Sequence, residues 1–101
     1  MIKISIIKNH NLIEHISIKG HAEYDESGKD IVCSAVSSIA ITTINGIMKI
    51  DHNCLTYQED DGYIKIDIVK HSDVTDILIN NMIDLLTELA HQYSQYIKIN
   101  K

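Results

Sequence analysis

Apolar and polar residues alternate from the start of the chain. Ile2, Ile4 and Ile6 fall on one side of an extended backbone, with Lys3 and Ser5 on the other, the period-two pattern of a half-buried strand. Residues 12–19, LIEHISIK, alternate less cleanly, with Leu12, Ile16 and Ile18 on one side. Asn9, His10 and Asn11 form the polar break between them, and asparagine tolerates the left-handed backbone of a tight turn. A β-hairpin is therefore predicted. From Ile31 to about Ile50 the period lengthens, and Val32, Val36, Ile39, Ala40, Thr43 and Ile47 recur at helical spacing. Asp30, just before, is suited to accept from the unpaired amides of the first turn.

Two further alternating runs, CLTYQE at 54–59 and YIKIDIVK at 63–70, flank Asp60, Asp61 and Gly62, which supply a tight turn. A second helix is predicted from Ser72 as N-cap, with Asp73 and Asp76 favourable to its dipole. Its stripe runs through Val74, Leu78, Met82, Leu85, Leu89, Tyr93 and Tyr96, widened by Ile79, Ile83, Leu86 and Ala90. The order ββαββα implies an α+β fold in two layers, an antiparallel four-stranded sheet with both helices on one face. For the last residues, IKINK, fraying and a short edge strand both remain open. With no linker or repeat, residues 1–101 read as a single domain.

Composition narrows the function. A 45% hydrophobic and 23% charged chain is globular rather than disordered. No stretch is read as reaching the roughly 20 apolar residues that span a bilayer. The start MIKISIIKNH lacks the core and cleavage site of a signal peptide. The cytoplasm is thus expected, with no membrane partner. The two cysteines are expected as free thiols there, and their spacing fits no zinc site; no metal or cofactor is expected. A formal charge of −5 without a lysine run disfavours direct nucleic-acid contact and points to a basic partner.

The chemistry concentrates in residues 20–37, GHAEYDESGKDIVCSAVS. Cys33 falls in the first turn of the predicted helix, where unpaired amides and the dipole favour a thiolate. His21 leads into the loop and is placed to reach back toward that turn, and the amides near Cys33 and Ser34 are natural donors to an oxyanion. Asp30 is a cap, or a group that orients His21. The alternatives for Cys33 and His21 are a small buried hydrophobe and a loop residue. His52 and Cys54 share a strand face but no helix terminus activates that thiol, and the remaining histidines read as solvated. Tyr93 and Tyr96 read as core or dimer contacts.

GHA followed by GKDIVCSAVS, with this separation of His21 from Gly28, resembles the signature of the ribosomal-processing cysteine proteases, the Prp family. The resemblance implies a homodimeric endopeptidase that removes a short N-terminal extension from a large-subunit ribosomal protein. It implies Cys33 as nucleophile and His21 as general base and then acid, with Asp30 as the motif's acidic neighbour. It also implies substrate contacts along Gly20, Glu23, Asp25, Glu26, Gly28 and Ser34, with the loop as a mobile cover that bends at Gly28. Ser34 departs from the Ala or Gly usual after the cysteine. A non-catalytic dimeric module that binds a basic ribosomal partner is the alternative. The breadth of the second helix's stripe also predicts a homodimer. Glu23, Asp25, Glu26 and Asp30 against Lys29 alone predict a negative mouth, which either draws in a basic substrate or merely solvates the loop.

Overall fold

A computed structural model describes residues 1–101. The elements are β1 (Ile2–Asn9), β2 (Leu12–Lys19), α1 (Ile31–Ile50), β3 (Leu55–Asp60), β4 (Tyr63–Ile68), α2 (Asp73–Gln92) and β5 (Ile97–Asn100). His10 and Asn11 both take positive φ, 52° and 65°, to close the first hairpin, and Gly62 at 66° helps close the second. The sheet runs β3-β4-β2-β1-β5. It is five-stranded and mixed, which corrects the expectation of four antiparallel strands. β5 lies parallel to β1, pairing Ile2 with Ile97 and Ile4 with Ile99, and Ile2 N–H donates to Tyr96 O at 2.8 Å. IKINK thus covers an edge that would otherwise be open.

β2 and β3 point the same way, as do β4 and β5, so each helix is the return of a parallel crossover. The two crossovers move in opposite directions across the sheet from antiparallel strands, and right-handed connections then put both helices on one face. Ile4, Ile16 and Ile66 from the strands meet Val32, Val36 and Ile44 from α1 and Ile79, Met82 and Leu86 from α2, all fully buried.

Three expectations change. Leu12 is exposed and Ile13 buried, because the register of β1 against β2 shifts between Ile7 and Lys8 and leaves Glu14 as an extra residue. The buried face of α2 runs through Thr75, Ile79, Met82, Ile83, Leu86 and Ala90, while Val74 and Leu85 of the expected stripe are exposed with Ile77. Asp73, Asp76, Asn80, Asp84, Glu88 and His91 mark the opposite, polar side, and the apolar side is broad enough that Val74 and Leu85 fall at its exposed margin. Finally, α1 is long and apolar enough by length and composition to cross a membrane. In the structure its apolar side, Val32, Val36, Ala40, Ile44 and Ile47, packs into the core, and Ser34, Ser37, Ser38 and Thr42 lie outside.

Candidate active site

Asp30 organises the region. Its backbone is extended at φ −80°, and its side chain caps α1: Oδ1 accepts from Val32 N–H and Cys33 N–H, each at 3.0 Å. Oδ2 accepts from the loop, from Tyr24 N–H at 2.9 Å and Asp25 N–H at 3.3 Å. Glu23, at φ 57°, supplies the bend that turns those amides inward. Burial alone would push the Asp30 carboxyl up, but the four amides, that of Cys33 foremost, outweigh it and hold the carboxyl below the usual carboxylate range. Asp30 therefore ties the loop to the helix. It does not contact His21, so the expected orienting role is not its geometry.

Cys33 is the third residue of α1 and half-buried. Its Sγ accepts from Ala22 N–H at 3.2 Å, so a loop amide and the positive end of α1 converge on one sulfur. Cys54 by contrast is sealed in the core at 1% exposure. The expected oxyanion donors are already engaged: Cys33 N–H is held by Asp30 Oδ1, and Ser34 N–H donates to Asp30 O at 3.1 Å. The amide left facing the sulfur is that of Ala22.

His21 follows Gly20, whose φ of +97° and close approach to the Met1 carbonyl leave no room for a Cβ. Gly20 N–H donates to Gly62 O at 2.8 Å, which fixes this strand end to the β3–β4 turn. The imidazole lies across that turn. A Cβ at Gly62 would stand 2.6 Å from His21 Nε2, and Asp61 Oδ1 is 3.9 Å from the same nitrogen. Asp61, not Asp30, is thus the carboxylate facing His21, and nothing in the DDG stretch beyond its turn chemistry marked it. His21 and Cys33 line one cleft without a hydrogen bond between them, and such bonds commonly close only when substrate is bound.

The cleft has two sides that share His21, Cys33 and Asp61. One has an apolar wall of Ile2, Ile18, Val36, Tyr63 and Ile64, with Glu59 and Asp60 at its edge beside Asp61. The other is polar and acidic, with Glu23, Asp25, Ser27, Gly28, Asp30 and Ser34. Gly20 and Ser37 border the apolar side. Glu26 lies outside both, its exposed carboxylate 3.9 Å from Lys29 Nζ. Gly28 takes φ +87° in open space, so it serves backbone shape and not close packing. Tyr24 stands edge-on to Tyr93 at 5.7 Å and to Tyr96 at 5.1 Å. The two C-terminal tyrosines therefore hold the loop, a contact that their own helical spacing did not show.

The family model described as cysteine protease Prp matches residues 1–98. The ribosomal processing cysteine protease Prp of Staphylococcus aureus is 24% identical over 99% of this chain and 98% of its own length. The Bacillus subtilis protein of that name is 25% identical, over 98% and 96%. A crystal structure of the S. aureus protease with a covalently linked product peptide superposes with a TM-score of 0.92 at 25% identity, covering 99% of this chain and 98% of that one. A Streptococcus mutans structure matches at 0.85 with 27% identity, over 99% and 92%. With its fold, its cysteine at the start of α1 and its sequence aligned over nearly the whole length, this chain belongs to the cysteine protease Prp family.

Proposed function

We propose that this protease acts in the cytoplasm to remove the N-terminal extension of a large-subunit ribosomal protein, with Cys33 as nucleophile and His21 as its base. The observation that carries the reading is the convergence of the Ala22 amide and the α1 terminus on Cys33 Sγ inside a cleft that His21 also lines. In the reaction Sγ attacks the scissile carbonyl carbon while its proton passes to His21. The C–N bond breaks as His21 returns that proton to the leaving amine, and water, deprotonated by His21, then cleaves the thioester. The S. aureus relative is named for ribosomal processing and has been crystallised with a substrate peptide, which supports a peptide in this groove. The apolar side of the cleft suits an apolar or aromatic residue near the cut, and the acidic side suits a basic flank.

The active form is a homodimer in this reading, joined through the exposed Val74, Ile77 and Leu85 of α2. Incubation of the protein with the ribosomal proteins of its own genome, followed by mass spectrometry, tests the substrate. A single large-subunit protein shortened at its N-terminus by the native chain and intact with Cys33→Ala is expected. No shortened product would overturn the substrate, and cleavage retained in Cys33→Ala would overturn the nucleophile.

A further inference from the structure

The helix-free face of the sheet carries a positive row that the acidic sequence conceals. Lys98 pairs with Lys3 across β5 and β1, Lys3 with Lys19 across β1 and β2, and Lys19 with Tyr63 across β2 and β4. The three lysines alternate with the buried Ile2, Ile4, Ile18 and Ile97 on their strands and are all exposed. None has a carboxylate within ion-pair distance: Lys65, in the adjacent row, pairs with Asp67 at 3.7 Å, and Asp67 also holds His15. Asp60 ends the row beyond Tyr63. The adjacent row reads Asn100, Ser5, Ser17, Lys65 and Gln58, polar throughout.

From this face we infer that the protein binds single-stranded RNA through Lys3, Lys19 and Lys98. Neighbouring strands stand about 4.8 Å apart, so the row spreads three ammonium groups over about 10 Å. That approaches the charge density of a nucleic-acid strand, one phosphate per about 3.4 Å of duplex axis. Lysines directly opposite one another repel, and a phosphate chain laid along the row replaces that repulsion with attraction. Ser5, Ser17 and Asn100 offer hydrogen bonds to phosphate or 2′-hydroxyl, and the half-buried Tyr63, with Lys19 Nζ 5.6 Å from its ring centre, offers a stacking surface for a base. No apolar side chain stands in either row except Tyr63, and the next row adds only the exposed Ile7, so a lipid surface finds little to bury. Tyr63 also walls the catalytic cleft, which brings the row to the rim where a peptide enters. The expectation against nucleic acid rested on net charge and on the absence of a lysine run. The fold builds the cluster from three strands far apart in sequence.

Fluorescence anisotropy of the full chain with a labelled, mixed-sequence RNA of about 12 nucleotides tests the inference. Three phosphate contacts predict that binding weakens about 20-fold between 50 and 200 mM salt. The variant Lys3→Gln/Lys19→Gln/Lys98→Gln is expected to lose at least about tenfold in affinity and most of that salt dependence. Lys8→Gln/Lys49→Gln/Lys70→Gln makes the same charge change off this face and is expected to bind as the native chain does. Equal loss in both variants, or no binding at low salt, overturns the inference. So does equal, lysine-dependent binding of polyglutamate or anionic vesicles, or a change of molecular mass in the first variant, which would mark the face as a contact between copies.

Discussion

Asp30 and Cys33 are joined through the backbone rather than through their side chains: the amide of the cysteine is held at 3.0 Å by one carboxylate oxygen, while the other gathers the loop amides of Tyr24 and Asp25. One buried carboxylate therefore sets both the position of the thiol and the path of the chain that brings Ala22 N–H to it. Asp30→Asn keeps a helix cap, since asparagine caps as well as aspartate, but turns an amide donor toward the loop amides. A loss of about 1–3 kcal/mol in thermal or denaturant unfolding is expected. Cleavage should fall by about 100-fold, because a displacement of about 1 Å at the reacting group costs that much. Limited proteolysis should cut the 22–29 loop faster. A variant with native loop protection would show that the second oxygen does not hold the loop.

Two glycines separate shape from space. Gly28 and Gly62 both have positive φ, but only Gly62 lies against a side chain, the His21 imidazole. Ala at either position costs about 1–2 kcal/mol of backbone strain. Gly62→Ala must also move the imidazole, and its kcat should fall well below that of Gly28→Ala at equal stability loss. Equal kcat in the two variants would remove the β3–β4 turn from catalysis.

The aromatic contacts of Tyr24 give the loop its anchor. Each edge-on pair is worth about 0.5–1.5 kcal/mol, so Tyr24→Leu should loosen the loop and raise KM more than it lowers the single-turnover rate. Tyr96→Leu should do the same from a residue outside the cleft, and combining the two should be less than additive. Strict additivity in that cycle would mean that the rings do not act together.

The parts of this site legible in the sequence are those that depend on neighbours in the chain. The Asp30 cap and the placement of Cys33 follow from a helical period that begins at Ile31, and the nearness of His21 to Cys33 from the motif they share. What needed the folded chain is set by long-range pairing. Tyr24 meets residues about 70 positions away, Asp61 reaches His21 through a hairpin that reads only as a turn, and Lys3, Lys19 and Lys98 meet only once β5 has joined β1. The margin of the packed side of α2 was illegible for a different reason: the apolar stripe is wider than the contact it makes, so the period fixes the helix and its polar side but not which edge, that of Val74 and Leu85, stays exposed.

His71 bridges two elements, with Nδ1 2.8 Å from Asp76 of α2 and Nε2 3.3 Å from Glu14 of β2. The hydrogen bond to Asp76 raises its pKa most, burial opposes, and Glu14 adds to the rise. A pKa raised in the folded state means that the imidazolium contributes stability in full below the ordinary histidine value, about 6.5. That contribution is lost as pH climbs through the higher folded value. His71→Gln should therefore lower Tm at about pH 5.5 and do so much less at about pH 9, where the native imidazole is neutral. A deficit that is the same at both pH values would assign His71 a packing role alone.

The acidic side of the cleft gives a prediction about rate rather than stability. Glu23 and Asp25 line it beside Asp61, whereas Glu26 stands outside and pairs with Lys29. A lysine-rich peptide approaching Cys33 meets these carboxylates before any contact forms, and a field of that kind raises association while leaving the chemical step alone. Glu23→Gln/Asp25→Asn keeps the shapes and removes two charges. With substrate well below KM, its kcat/KM should fall severalfold at low ionic strength and converge on the native value above about 0.1 M salt, where the field is screened beyond about 10 Å. Glu26→Gln serves as the internal control, since its carboxylate already has a cation and does not face the groove; its salt response should match that of the native chain. A neutral peptide of the same length should show no difference among the three proteins. If the double variant and the native protease respond to salt in parallel on the basic peptide, Glu23 and Asp25 solvate the loop and steer nothing.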